Sequence, residues 1–456
     1  MPRTPEAPLS HPALRECFGC GQFQIVPALG PDMRSDCVRC GTALRRTRRD
    51  PLSRGLALTC AALVLFAIVW LGMLMKVSKA GIEHATTLIS GPMELVHHGL
   101  WPLAVVVGFA TALAPFAKFA GTLYVLVGLR TPKPLPNLRG VYLFARKMST
   151  WAMLEVLLLG VFVAYTKLGA LVQVEVGPAI FALGLVTVVT VWADTVLDPD
   201  AVWGAIQRRG QTHSPMPEVP SLDFHPDAIG CEACGLVSVP TGHGAKCPRC
   251  GSALHRRKPD SLNRTWAFVL AAAILYIPAN YYPVLTVIQL GAGEPSTILG
   301  GVEELLASKM YPLALLVFFA SVLVPMFKLI GLAIMLMAVM LVTTEMGAGV
   351  LLPQRTKLYY VVAWIGRWSM VDIFMESLLG ALVQFGSVVT IAPGVGAVAF
   401  CGVVIITILA AEGFDPRLMW DAAALNAHSP LQLRQARARA AGGLSTISPP
   451  APERLS

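Results

Sequence analysis

The sequence predicts an all-α polytopic membrane protein: two tandem four-helix transmembrane repeats, eight membrane helices in total, each repeat preceded by a small cysteine ribbon. Three observations predict it. Of the 456 residues, 55% are hydrophobic and only 14% charged, with a mean hydropathy of +0.62, a balance that no soluble domain of this size carries. A four-cysteine motif occurs twice, each time ahead of a basic cluster and a long apolar region. The two halves also match each other at spaced positions along most of their length.

A leader, 1–14, is expected to be disordered. The first ribbon, 15–46, carries Cys17-Phe-Gly-Cys20-Gly21 and Cys37-Val-Arg-Cys40-Gly41, and the second, 229–257, carries Cys231-Glu-Ala-Cys234-Gly235 and Cys247-Pro-Arg-Cys250-Gly251. Two Cys-x-x-Cys pairs offer four thiolates, the ligand set of tetrahedral zinc, with both sulfurs of one turn on the same ion. The glycine after each pair suits a turn with φ > 0, in which backbone N–H groups can face the sulfurs. Disulfides need an oxidising compartment, and a redox Cys-x-x-Cys needs a thioredoxin-like βαβ pattern that the sequence lacks. Iron of rubredoxin type stays compatible with four thiolates. All four ligand positions are filled, so each site reads as structural. Cys60 and Cys401 lie in apolar stretches and read as packing residues.

Repeat 1 (50–200) contains apolar spans at 55–75, 100–129, 148–166 and 177–197, and repeat 2 (260–418) at 264–288, 310–343, 360–386 and 393–412. Each is near or above the length that crosses a bilayer as a helix. Pro115 predicts a kink in the second span, and Pro278-Ala279-Asn280 a break in the fifth. A polar linker, 201–228, with Pro215, Pro217 and Pro220 at its centre joins the repeats, and a tail rich in Ala, Arg, Pro and Ser, 421–456, is expected to be disordered.

Charge sets the expected orientation. Loop 130–147 carries Arg130, Lys133, Arg139, Arg146 and Lys147, and loop 344–359 carries Arg355 and Lys357, whereas the loops at 167–176 and 387–392 are poor in cations. The positive-inside rule then places both termini and both ribbons in the cytoplasm and the loops 76–99 and 289–309 outside. It also accounts for the net charge of +9, so no nucleic-acid partner is expected. The sequence has no Gly-x-x-x-x-Gly-Lys-Ser/Thr phosphate loop and no His-Glu-x-x-His motif, and it does not read as an enzyme.

An offset of 210 aligns Gly91-x-x-Glu94-Leu95 with Gly301-x-x-Glu304-Leu305, and Pro115-x-x-Lys118 with Pro325-x-x-Lys328. An offset of 217 then aligns Trp151-x-Met153-x-Glu155 with Trp368-Ser369-Met370-Val371-Asp372, Thr190 with Thr407, and Asp198-Pro199 with Asp415-Pro416. Four crossings per unit is an even number, so the units share one orientation about an axis along the membrane normal. Lys118 and Lys328 fall roughly 18–22 Å along the helix from the expected cytoplasmic end, and Glu155 and Asp372 lie on the following helix. Charges at that depth need a partner or a water-filled cavity, and within each repeat the lysine and the carboxylate are the expected pair. Such pairs serve either as packing ion pairs or as protonation and substrate sites.

The duplicated ribbons, four helices per repeat, Pro-x-x-Lys, Trp-Ser-Met-x-Asp and the closing Phe414-Asp415-Pro416-Arg417 together resemble the paraquat-inducible protein A family of bacterial inner-membrane proteins, over about residues 15–420. The resemblance implies a multi-pass protein of the bacterial inner membrane that moves lipids (phospholipid) across the cell envelope with a periplasmic MCE-type protein as partner. It also implies Lys328, Ser369, Asp372 and Thr407 as coupling residues, with Lys118, Glu155 and Thr190 as their counterparts in the first repeat; the buried lysine–carboxylate groups themselves point to a proton gradient as the drive. The competing readings are a self-contained transporter of small solutes, a structural anchor for the periplasmic partner, and a redox protein passing electrons through metal ribbons.

Overall fold

The computed structural model describes residues 13–79, 82–133, 135–169, 173–214, 225–240, 242, 244–289, 292–341, 351–383 and 389–427. Ribbon 1 is two hairpins, β1 (Ala13–Glu16) with β2 (Phe23–Val26) and β3 (Arg34–Asp36) with β4 (Ala43–Arg46). Repeat 1 then runs α1 (Pro51–Leu71), β5 (Met75–Lys79), β6 (Ile82–Thr86), α2 (Ser90–His97), α3 (Trp101–Gly108), α4 (Ala114–Gly128), α5 (Leu138–Ser149), α6 (Leu154–Leu168), β7 (Gln173–Val176), α7 (Pro178–Val196) and α8 (Pro199–Arg208). Ribbon 2 holds β8 (Ile229–Gly230) and β9 (Val237–Ser238). Repeat 2 repeats the order: α9 (Ser261–Tyr281), β10 (Leu285–Gln289), β11 (Ala292–Ser296), α10 (Ile298–Ala307), α11 (Tyr311–Phe318), α12 (Val324–Leu341), α13 (Leu352–Ile365), α14 (Val371–Leu382), β12 (Val389–Pro393), α15 (Val395–Gly413) and α16 (Arg417–Ala427).

Seven helical stretches among the described residues are long and apolar enough to cross a membrane: Pro51–Leu71, Trp101–Gly128, Leu138–Leu168, Pro178–Val196, Ser261–Tyr281, Tyr311–Met340 and Val395–Gly413. The expected crossing at 360–386 is broken into α13 and α14 by a 3₁₀ turn, Gly366–Met370, and residues 384–386 lie outside the described set. α1 packs along α7 and α9 along α15, and the equivalent helices α6 and α14 cross each other between the repeats. Gly160 allows that crossing, because a Cβ there would stand 3.1 Å from Phe374 Cβ.

The fold is mostly helical, and the all-α expectation needs correction. At the end of the helices away from the ribbons, each repeat forms a three-stranded antiparallel sheet, ordered β6-β5-β7 and β11-β10-β12. Its third strand arrives from the loop before the last membrane helix, far along the chain. Strands this short carry little alternation, and their partners are not local, which is why the sequence reads as loop. The linker at 201–228 is helical as far as Arg208, and the tail at 421–456 is helical as far as Ala427. Strand β1 begins inside the expected leader 1–14. Residues 1–12, 428–456 and the linker's Pro215, Pro217 and Pro220 lie outside the described residues. Arg139, Arg146 and Lys147 ride on α5, and Arg355 and Lys357 on α13, so these cations belong to helices. Cys60 is exposed on α1 and is not a packing residue, whereas Cys401 is buried.

The kink at Pro115 takes a specific form. A π-helical turn, Phe109–Leu113, joins α3 to α4, and Ala114 N–H donates five residues back to Phe109. Proline has no N–H to give, and the widened turn leaves it at the start of the next helix. The same device recurs at Phe319–Leu323 before Pro325. Thr111 and its counterpart Ser321 return their hydroxyls to Val107 and Val317 carbonyls within the bulge. Pro278 does not break α9: the helix continues to Tyr281, and Asn280 Nδ2 donates to the Tyr276 carbonyl.

The ribbons are exchanged. The cysteines of ribbon 1 pack with Leu332, Met335, Leu336 and Trp420 of repeat 2, and those of ribbon 2 with Val125, Leu138, Tyr142 and Trp203 of repeat 1. Arg39, inside the second cysteine turn of ribbon 1 (Cys37–Cys40), lies 4.5 Å over the Trp420 ring. One charge junction ties the pieces together. Arg417, 1% exposed, binds Asp415 at 2.8 Å, Glu16 of ribbon 1 at 3.0 Å and Glu232 of ribbon 2 at 2.7 Å. Glu16 also accepts the Gly230 N–H at 2.8 Å. Its neighbour on β1, Arg15, points the other way, as strand alternation requires, and meets Asp200 at the start of α8 at 2.7 Å. Burial pushes the Asp415 carboxyl up, but hydrogen bonds and charge from Arg417 outweigh it and hold it below the usual carboxylate range.

Arg417→Ala is therefore expected to cost about 3–5 kcal/mol, because Glu16 and Asp415 lose a buried partner, whereas Arg367→Ala, at a half-exposed pair, costs under about 1 kcal/mol. Denaturant or thermal unfolding of the detergent-solubilised protein measures both. A depressed native carboxylate contributes fully above the unfolded value near 3.9 and is lost as pH falls through the native one. Acid below about pH 4 is accordingly expected to lower the protein's stability as the Asp415–Arg417 pair is lost, read as a fall in the thermal unfolding temperature.

Candidate functional site

In each ribbon four thiols converge. The sulfurs of Cys17, Cys20, Cys37 and Cys40 lie within 4.8 Å of one another, as do those of Cys231, Cys234, Cys247 and Cys250, and all eight residues are buried. The Sγ–Sγ separations of 3.5 Å for Cys17 and Cys40, 3.6 Å for Cys20 and Cys37, 3.5 Å for Cys231 and Cys250, and 3.6 Å for Cys234 and Cys247 fit the edge of a tetrahedron with about 2.3 Å metal–sulfur bonds, about 3.8 Å. The residues therefore fit a metal ion, with no ligand position left over. Gly21, Gly41, Gly235 and Gly251 have φ of 73°, 75°, 71° and 81°, the left-handed turn that the sequence required. Their own N–H groups bind the carbonyl of the first cysteine at 2.7–2.9 Å, which closes the turn. Backbone N–H groups do face the sulfurs, as expected: Arg39 N–H reaches Cys37 Sγ at 3.4 Å, beside a Gln24 Nε2 bond at 2.8 Å, and the Gly19 and Gln22 N–H groups reach Cys17 and Cys20.

Between the repeats lies a cavity of about 580 Å³. The duplicated residues Lys118 and Lys328 line it from opposite repeats, as do Tyr142 and Tyr359, so it sits on the pseudo-symmetry axis. Arg146 and Arg367 add two more cations, against Asp194 and Glu412. The expected lysine–carboxylate pairs do not form. Lys118 Nζ binds Asp194 at 2.7 Å, on the last membrane helix of its repeat. Glu155 meets Arg367 of the other repeat at 3.5 Å. The position equivalent to Asp194 is Ala411, and Lys328, 1% exposed, is left with the Gly366 carbonyl at 3.3 Å. No carboxylate lies within 4 Å of it among the described residues. Asp372 is six residues beyond Gly366, roughly 10 Å further along α14.

Asp372 lines a separate small cavity on the sheet side, of about 30 Å³, together with Glu376 and Lys167. Asp372 Oδ1, Glu376 Oε2, Ser369 Oγ and Ser377 Oγ are all buried without a hydrogen-bond partner. The space admits a water or two. Glu376 and Ser377 escaped the sequence reading because their counterparts in repeat 1 are Leu159 and Gly160. The signal that would have found Glu376 is its spacing: four residues after Asp372, on the same helix face. Thr190 and Thr407 are buried but donate to their own helices, at Val186 and Val404, so neither hydroxyl's proton is offered to either cavity.

These features define a class: a duplicated, multi-pass membrane protein with two four-cysteine clusters that fit a metal ion and a cationic cavity between its repeats. The paraquat-inducible protein A (PqiA) family model matches residues 52–207 and 262–424, and the chain belongs to that family. It is 32% identical over 413 residues to the Intermembrane transport protein PqiA of Escherichia coli, covering 89% of this chain and 95% of that one. It is also 29% identical to the Lipophilic envelope-spanning tunnel protein A of Escherichia coli, covering 90% and 91%. A Probable intermembrane transport protein of Haemophilus influenzae is 27% identical, covering 91% and 98%. No solved structure matches the chain.

Elemental analysis of the purified protein is expected to find two metal ions per chain, falling to one in Cys20→Ser/Cys37→Ser. Retention of two ions in that variant would show that the four thiols do not share one ion.

Proposed function

We propose that this protein moves phospholipid between the inner membrane and a periplasmic conduit built by an MCE-type partner. The inter-repeat cavity carries the reading. Four cations against two acids, at the level where two lysines face each other from opposite repeats, suit a phosphodiester headgroup. The apolar faces of the surrounding helices suit its chains. The names of the relatives in Escherichia coli, an intermembrane transport protein and an envelope-spanning tunnel protein, support transport across the envelope. In this reading the chain crosses the membrane eight times, with α13 and α14 forming the eighth crossing. Both termini and both ribbons face the cytoplasm, where reducing conditions keep the thiolates free for zinc. The two sheets face the periplasm and are the docking surface for the partner.

Coupling rests on the second repeat. Lys328 without a carboxylate, and Asp372 with Glu376 one helical turn apart and only Lys167 as a nearby cation, are ionisable groups held in a membrane span without a direct ion pair. Such groups suit the uptake and release of a proton during a cycle. Lys118, already closed onto Asp194, and Glu155, closed onto Arg367, serve to hold the first repeat in place. Ser369, three residues before Asp372, keeps a buried hydroxyl without a partner, available to hydrogen-bond when charge or water enters, and Thr407 and Thr190 act through their helices.

A mild-detergent pull-down from native membranes, with mass spectrometry of proteins and lipids, tests the partner and the cargo: an MCE-type protein and phospholipid are expected together. Lys328→Met and Asp372→Asn are expected to reduce lipid delivery at least tenfold with partner binding intact. Unchanged delivery would leave a structural anchor, and absence of both partner and lipid would leave a transporter of small solutes.

A further inference from the structure

Where ribbon 1, α8 and ribbon 2 meet, a further cavity of about 560 Å³ opens, and it shares no residue with the transport candidates above. Six arginines line it: Arg15, Arg45, Arg48, Arg49, Arg208 and Arg249. Three acids do so as well, Asp50, Asp198 and Asp200, which leaves an excess of three positive charges. Asp200 is already engaged by Arg15 at 2.7 Å and Arg45 at 3.8 Å. The Asp198 carboxyl caps α8 by accepting the Asp200 N–H. Arg48 turns to Asp32 at 3.6 Å. Arg49 and Arg208 have no ion pair among the described residues.

Arg249 supplies a second, independent observation. It lies within the cysteine turn Cys247–Cys250 and is 7% exposed. Its Nη2 donates to the Cys234 carbonyl, while its Nε is buried with no partner. A buried guanidinium with an unused donor, in a cavity already rich in cations, is costly unless an anion enters. The position of the cavity narrows the choice. Its wall includes Pro51, the first residue of α1, so its mouth lies where the apolar helix begins, at the depth of lipid headgroups.

We propose that this cavity binds a phosphate-bearing anion, gripped by Arg49, Arg208 and Arg249. Planar guanidinium forks match phosphate oxygens in pairs, and each such bond is charge-assisted. The phosphate comes either from an anionic lipid headgroup at the inner leaflet or from a soluble phosphate compound. Because the three arginines belong to ribbon 1's exit, α8 and ribbon 2, the anion clamps both ribbons to repeat 1.

Full-length protein is delipidated in detergent, and native mass spectrometry follows binding of phosphatidylglycerol, with phosphatidylcholine as the zwitterionic control. Calorimetry follows inorganic pyrophosphate. Wild type is expected to bind at least one of the two anions, and Arg49→Ala/Arg208→Ala to weaken that binding at least tenfold while keeping two metal ions per chain. Arg208→Glu alone, on the exposed side of α8, gives the same loss by charge reversal. Loss of phosphatidylglycerol adducts with pyrophosphate silent assigns a lipid headgroup, and loss of pyrophosphate heat assigns a soluble ligand. Neither anion binding to wild type, or binding that both variants leave unchanged, overturns the proposal. Neither result bears on lipid delivery through the inter-repeat cavity.

Discussion

Arg417 is the point on which the architecture turns. Its guanidinium reaches the start of α16, ribbon 1 and ribbon 2 at once. A buried charge of this kind tolerates little misplacement, because each carboxylate it satisfies becomes a liability when the geometry slips. The first-repeat counterpart is Asp200, of opposite sign, which takes Arg15 instead. Adjacent residues of one strand, Arg15 and Glu16, thus read the two repeats by charge. Exchanging them would set like against like on both sides, so ribbon 1 has one orientation that satisfies the whole junction.

The duplication explains where the chemistry is concentrated. Both repeats keep the π-turn before Pro-x-x-Lys, so both lysines reach the same cavity. Only the first keeps an acid for its lysine. Ala411 in place of that acid leaves Lys328 without an ion pair, and Glu376 in place of Leu159 adds a second carboxyl beside Asp372, with Lys167 as the nearby cation. The first repeat then has its membrane charges in ion pairs, and the second holds those whose atoms lack a direct partner among the described residues.

Much of this was legible in the sequence, and what was legible was local. Cys-x-x-Cys-Gly spacing dictates the metal turns without help from the rest of the chain. Long apolar runs reveal most of the membrane helices, and offsets of 210 and 217 reveal the repeat. Partnerships between distant segments were not legible. Lys118 reaches Asp194, 76 residues on, and Glu155 reaches into the other repeat. The third strand of each sheet returns across most of a repeat. Repeat matching also carried its own blind spot, since it draws attention to what the halves share and Glu376 is where they differ.

The exchange of ribbons bears on how such a chain could have arisen. A half-length chain, one ribbon followed by one repeat, would bury its cysteine knuckle only by lending it to a second copy, as a swapped homodimer whose assembly depends on protein concentration. Fusing two copies turns that encounter into an intramolecular one at high effective concentration. Once fused, the two halves need no longer be identical, and each is free to specialise without the other copy inheriting the change.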